Sequence, residues 1–239
     1  MHSDIASALP VSRRKALGLL SLSTAVIAGG GLSAAPLHAA ARDEAELPEI
    51  RTPLDAMAEL IAGNRRFMEG RPVGPHRSMA RVQEVAAGQA PFAAVLSCAD
   101  SRVPVEILFD QGFGDLFVCR AAGNIVTPEL IGSLEFGTLV LGARAVVVLG
   151  HTGCGAVKAT IAGDPVPGQI SALYRHIRPA VDRSATRELE DVSRHNVRVQ
   201  ADLLRTSSPV VAQLIREDKL LVVGAVYDIG TGRVTLLED

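Results

Sequence analysis

The sequence predicts one α/β domain around a mainly parallel sheet, with an antiparallel terminal strand and flanking helices. Three observations predict it. Short, continuous apolar runs read as strands buried on both faces: PFAAVLS (91–97), DLFVC (115–119), ARAVVVLG (143–150) and KLLVVGAVYD (219–228). Segments of helical periodicity alternate with these runs, as in βαβ units. The last run, GRVTLLE, follows its neighbour after only the turn-like IGTG. That link is too short for a crossover, so the terminal strand is antiparallel.

The elements follow in order. TPLDAMAELIAGNRRF opens a helix, with Thr52 as N-cap, Pro53 at the first helical position and Asp55 in the first turn. Leu54, Met57, Ala58 and Ile61 then recur at helical spacing, which predicts an amphipathic helix ahead of the core. A short polar helix is expected over 77–87. Thr127 and Pro128 repeat the Thr-Pro helix start, helical patterns fill much of 168–217, and Pro209 starts the last helix. No linker divides residues 41–239, so they read as a single domain.

The first forty residues differ in kind. Arg13, Arg14 and Lys15 precede an apolar, Gly- and Ala-rich run that ends in small residues. This is the layout of an export signal cleaved near 39–41. The run over 17–32 falls short of the ~20 apolar residues that span a bilayer, so no stable membrane anchor is expected. Ser12-Arg13-Arg14 resembles the twin-arginine type, which carries folded proteins and places the mature chain in the periplasm or outside the cell.

Composition excludes some functions. The 239 residues are 48% hydrophobic and 21% charged, with a net charge of −2, 3% aromatics and no Trp. Neither a basic footprint for phosphate backbones nor stacking platforms for single strands are supplied, so no nucleic-acid partner is expected. Three cysteines, Cys98, Cys119 and Cys154, do not suit a disulfide framework. Cys119 lies within an apolar strand and reads as a small core residue.

The other two thiols point to a metal. In LGHTGCGAV (149–157), His151 and Cys154 lie just beyond the Val-rich strand, and Cys98 lies just beyond PFAAVLS. Ligands of open α/β sheets bind outside the carboxyl ends of the strands. If the two strands are neighbours, Cys98, His151 and Cys154 converge as a Cys2His set. That set suits Zn²⁺ and leaves one position open. Gly153 and Gly155 allow a tight strand-to-helix turn, and the Gly155 N–H, at a helix start, can point at an anion. In CADSR (98–102), Asp100 beside a metal has two uses. It accepts a hydrogen bond from metal-bound water, or it binds the metal as a fourth ligand in a closed state. Arg102 chooses between them by holding Asp100 away.

The blocks CADSRVPVEILFDQGFGDLFVCRAAGN (98–124), GSLEFGTLVLGARAVVVLGHTGCGAVKA (132–159), VVGAVYDIGTGRV (222–234) and GNRRF (63–67) resemble the β-class carbonic anhydrases. The resemblance covers nearly all of 41–239. It implies the β-carbonic anhydrase fold and one zinc per subunit held by Cys98, His151 and Cys154. It also implies an Asp100–Arg102 dyad, and Gln111 as a hydrogen-bonding partner of the substrate. The implied reaction is reversible hydration of carbon dioxide to bicarbonate and a proton by zinc-activated water. The implied assembly is a homodimer or an assembly of dimers, with the helix over 54–70 as the arm that embraces the partner. Ala99, where serine is common, and the export signal are departures. His176 is a candidate proton shuttle, with a solvated or structural role as its alternative. Two rival functions use the same residues: a zinc hydrolase of carbonyl sulfide or carbon disulfide, and a non-catalytic zinc-binding protein.

Overall fold

The structure, a computed structural model, describes residues 48–238. The expected export signal over 1–40 lies outside the described residues. Five strands form one sheet in the order β2-β1-β3-β4-β5: β1 (Ala93–Ser97), β2 (Leu116–Arg120), β3 (Ala145–His151), β4 (Leu221–Tyr227) and β5 (Val234–Leu236). β1 to β4 pair in parallel and β5 pairs antiparallel to β4, as the short final link requires. The helices are α1 (Pro53–Met68), α2 (Met79–Glu84), α3 (Val105–Leu108), α4 (Pro128–Glu135), α5 (Gly155–Ala162), α6 (Tyr174–Arg183), α7 (Leu189–Ser207) and α8 (Pro209–Arg216).

The two central strands are buried along their whole length, because helices cover both faces. Successive side chains alternate between those faces. Ala94, Leu96, Val146 and Val148 pack with Leu134 of α4, Val197, Ala201 and Leu204 of α7 and Val211 of α8. Ala93, Val95, Ala145, Val147 and Leu149 pack with Met57 and Leu60 of α1 and Leu108 of α3. Burying one such aliphatic side chain contributes about 1.5–3 kcal/mol.

The helix starts form as their sequences dictate. Thr52 and Asp55 make a reciprocal capping box with Pro53 at the first turn. Ser208 caps α8 ahead of Pro209. Thr127 precedes Pro128 as expected, but its hydroxyl donates to Glu129 instead of capping α4. The buried face of α1 is rotated from the expected stripe. Leu54 and Ile61 are 73% and 50% exposed, while Ala56, Met57, Glu59, Leu60, Gly63 and Asn64 are buried. The reason is polar satisfaction. Glu59 accepts from Arg66 and Gln111, and the Asn64 amide bonds Leu108, Gly232 and Val234. Two polar residues can therefore sit inside without the cost of an unpaired group.

Candidate metal centre

Parallel pairing of β1 with β3 matches Ser97 to Leu149 and sets their carboxyl ends side by side. Cys98 follows β1 directly, His151 ends β3, and Cys154 is the N-cap of α5. Gly153, at φ +66°, makes the turn between the last two. The two thiols and the imidazole are all buried, and their ligand atoms lie within 4.8 Å of one another.

The imidazole is already oriented. Its Nδ1 is 2.9 Å from the Thr152 carbonyl oxygen, which only accepts, so Nδ1 carries the proton and donates. The Nε2 lone pair is left facing the thiols. It is buried, with no hydrogen-bond partner among the described residues. Such an orphan acceptor beside two sulfurs is what a metal would satisfy. Two sulfurs and one nitrogen suit Zn²⁺ and leave one vertex of a tetrahedron.

The thiols are tuned by their neighbours. Cys98 Sγ accepts from the Gly123 N–H at 3.2 Å. Its contact with Cys154 outweighs burial and pulls the Cys98 thiol well below its ordinary value. Cys154 is driven up by sharing that proton, although the Val157 and Ala156 amides of α5 face it. The shared proton thus favours the thiolate at Cys98 over one at Cys154. Burial opposes a charged His151, but the Cys98 sulfur outweighs it and moves the imidazole up.

Asp100 stands at the mouth of the cluster, with Oδ2 3.8 Å from His151 Nε2. Arg102 takes both its oxygens, Nε to Oδ1 at 2.9 Å and Nη2 to Oδ2 at 2.7 Å. This fork, aided by the Arg102 backbone N–H, holds the Asp100 carboxyl well below the usual carboxylate range. Arg120, at the end of β2, donates to the carbonyls of Cys98 and Asp100 at 3.0 and 2.6 Å and so fixes the loop between them.

The remaining expected residues lie elsewhere or make no contact with the cluster. Gly155 is the first residue of α5 and is exposed. Gln111 stands apart from this chain's own cluster. The chain descends from α3 toward the amino end of β2, where the Gly112 N–H bonds Asp115 and Asp115 accepts from Phe92. Cys98 is at the opposite, carboxyl end of β1, about 16 Å away along a five-residue strand. The Gln111 amide nitrogen donates to Glu59 and the Phe109 carbonyl instead, so it does not reach this chain's own cluster. His176 lines a groove with Arg175, Pro179, Val199 and Leu203, none of them a cluster residue. Cys119 is buried in the apolar core, and burial pushes its thiol up. The sequence reading missed Arg120, Gly123, Asn196 and Gln200. Its one available signal was a break in a stripe, the polar Asn196 and Gln200 which, with Ser193, interrupt the apolar face of α7.

A buried Cys2His cluster at the carboxyl ends of neighbouring parallel strands defines a zinc-binding α/β enzyme. The profile of the family described as carbonic anhydrase matches residues 93–234. Carbonic anhydrase 2 of Mycobacterium tuberculosis is 36% identical over 191 residues, which cover 77% of this chain and 92% of that one. The solved β-carbonic anhydrase of Coccomyxa, in complex with acetazolamide, has a TM-score of 0.61 at 29% identity, covering 76% of this chain and 86% of its own. A tetrameric β-carbonic anhydrase of the ascomycete Sordaria macrospora has a TM-score of 0.61 at 25% identity, covering 66% and 86%. The chain belongs to the β-carbonic anhydrase family, and it is a carbonic anhydrase with zinc as its cofactor. Among the described residues, no helix is long and apolar enough to cross a membrane.

Proposed function

We propose that this protein hydrates carbon dioxide reversibly to bicarbonate and a proton, with Cys98, His151 and Cys154 holding the zinc and Asp100 and Arg102 directing the attack. The observation that carries this reading is the buried, unpartnered Nε2 of His151 facing two thiols. Zinc supplies the Lewis acidity that makes water a nucleophile near neutral pH. Cys98 and Cys154 supply negative charge, and the Thr152 carbonyl keeps His151 in the tautomer that presents Nε2. Asp100 Oδ2 accepts a hydrogen bond from the attacking water and turns its lone pair toward carbon. Arg102 keeps Asp100 ionised and keeps it from swinging inward as a fourth ligand, the movement that would close the site. Gly155, exposed as the first residue of α5, would offer its N–H to an oxygen of bicarbonate.

The assembly is a homodimer or a set of dimers. The apolar side chains that α1 turns outward, Leu54 and Ile61, support this, as does the tetrameric state named for the Sordaria relative. Residues 1–40 direct export, and residues 41–239 form the working domain. The test is stopped-flow carbon dioxide hydration by the mature protein, with zinc content and sedimentation measured on the same sample. Zinc-loaded protein that turns over carbonyl sulfide but not carbon dioxide would assign the other hydrolase. Loaded protein inert to both would assign a binding role.

A further inference from the structure

We propose that Asn196 and Gln200 are positioning residues for the zinc site, setting the Gly123 amide against the Cys98 sulfur. The inference deepens the reading of Cys98 as a ligand and rests on it.

Five hydrogen bonds link Gln200 and Asn196 to the Cys98 sulfur. Gln200 Nε2 donates to Asn196 Oδ1 at 3.1 Å and to the His176 carbonyl at 2.9 Å. Gln200 Oε1 accepts the Val126 N–H at 2.8 Å. With its oxygen held, the Asn196 amide aims Nδ2 at the Gly123 carbonyl, 2.8 Å away. The Gly123 N–H then ends on Cys98 Sγ at 3.2 Å. Asn196 and Gln200 are fully buried on α7 among Val192, Val197, Ala201 and Leu204. Two amides in that setting are costly unless every polar atom is used.

The geometry at Gly123 makes the chain consequential. The Asn124 N–H closes a turn onto the Ala121 carbonyl at 2.9 Å. Gly123, in the third position, has φ +76°, and Ala122 is not among the positive-φ residues. That is the type II form. The type I alternative would flip the peptide between Ala122 and Gly123 and turn its N–H away from Cys98. A Cβ at position 123 would meet Ile177 Cδ1 at 2.7 Å, so α6 presses the same residue from the other side. The Gly123 carbonyl belongs to the following peptide, so Asn196, anchored by Gln200, does not select the flip but fixes where the turn, and with it the Gly123 N–H, stands relative to Cys98. A hydrogen bond to a ligating thiolate lowers the energy of its lone pairs and weakens its donation to the metal. Partners of this kind alter metal affinity by about 10- to 100-fold.

The experiment uses full-length mature protein loaded with cobalt(II), whose thiolate-to-metal charge-transfer band reads sulfur donation directly. Asn196→Leu and, separately, Gln200→Met are compared with Ser193→Ala, a buried α7 neighbour whose hydroxyl has no partner among the described residues. The first two are expected to move the band to longer wavelength and to shift zinc retention against a chelator by about tenfold or more. Ser193→Ala is expected to leave both unchanged. Folded Asn196→Leu and Gln200→Met proteins with the band at its original position would overturn the proposal, since a purely structural amide pair would not move it. If both variants fail to fold, cadmium-113 in the unaltered protein decides. Scalar coupling from the metal through sulfur to the Gly123 amide proton supports the chain, and its absence overturns it. An unaltered protein without any thiolate-to-cobalt band would instead overturn the assignment of Cys98 and Cys154 as ligands.

Discussion

Arg102 grips Asp100 by both carboxylate oxygens, at 2.9 and 2.7 Å, while the same carboxylate stands 3.8 Å from His151 Nε2. The pair joins an exposed guanidinium to the edge of a buried donor cluster. It does so without a covalent or coordinate link, so it can be broken without dismantling what lies beneath.

Replacing Asp100 with Asn should leave about one zinc per chain and lower kcat/KM for carbon dioxide at pH 8 by about 10²-fold or more, the usual contribution of a positioned proton acceptor. Metal analysis and stopped-flow assays on one preparation check this. Full activity in the variant would remove Asp100 from the reaction.

Arg102→Ala probes the clamp through pH. Arg102 holds the Asp100 carboxyl below its ordinary value, so in the unaltered protein Asp100 remains ionised throughout pH 5–9. Without the guanidinium its pKa rises only toward the ordinary ~3.9, so it stays ionised over that range. It is then free to turn inward and would compete with hydroxide for the open metal position, most effectively at low pH, where hydroxide is scarcest. The expected outcome is lower activity, steepest on the acid side, with zinc retained. A profile that scales down uniformly would refute the clamping role.

His151→Ala should empty the site. The variant loses the one nitrogen donor, and zinc content after dialysis against a mild chelator should fall from one per chain toward zero, with activity following. Cys119→Ser serves as the contrast: Cys119 is in the apolar core, so this variant should lose some stability and keep its metal.

The acid limb of stability should depend on Asp110. Burial pushes its carboxyl up, but Arg66 and the Val73 and Gly74 amides outweigh burial and hold it below the ordinary value. A depressed carboxyl contributes stability that is complete above the unfolded pKa of ~3.9 and is lost as pH falls through the lower folded value. Asp110→Asn should therefore flatten the loss of stability below about pH 4. Arg66→Met, which leaves Asp110 and Glu59 without their shared cation, should cost about 3–5 kcal/mol at neutral pH in urea unfolding.

The export reading has its own test. Changing both Arg13 and Arg14 to Lys should hold the full-length precursor inside the cell, whereas the unaltered chain should yield a mature amino terminus near 39–41 in the exported fraction. Equal export of both forms would discard the twin-arginine assignment.

The strands were legible because parallel strands under two helical layers have no polar face to hide. Ala143–Gly150 and its neighbours read directly as apolar runs. The cluster was legible because soft ligands in the turns that follow such strands have one common destination. The face of α1 was not, since Glu59 and Asn64 are polar by type and buried by partnership, and only the folded chain supplies the partners. The place of Gln111 was not legible for a related reason: its distance from Cys98 depends on the path after α3, which residue identity does not record. Arg120 and the Asn196–Gln200 pair act on main-chain atoms, and sequence carries no mark of which carbonyl a side chain will find.

The Thr152 carbonyl that fixes His151 belongs to the main chain, as does the Gly123 amide on Cys98. Genetic drift at position 152 would alter a side chain and leave that acceptor in place, whereas one codon change at 102 abolishes the grip on Asp100. On the role proposed for the dyad, descendants of this sequence would fall silent as catalysts while still folding around zinc, and a shared trio of donors in a homologue would be weak proof of turnover.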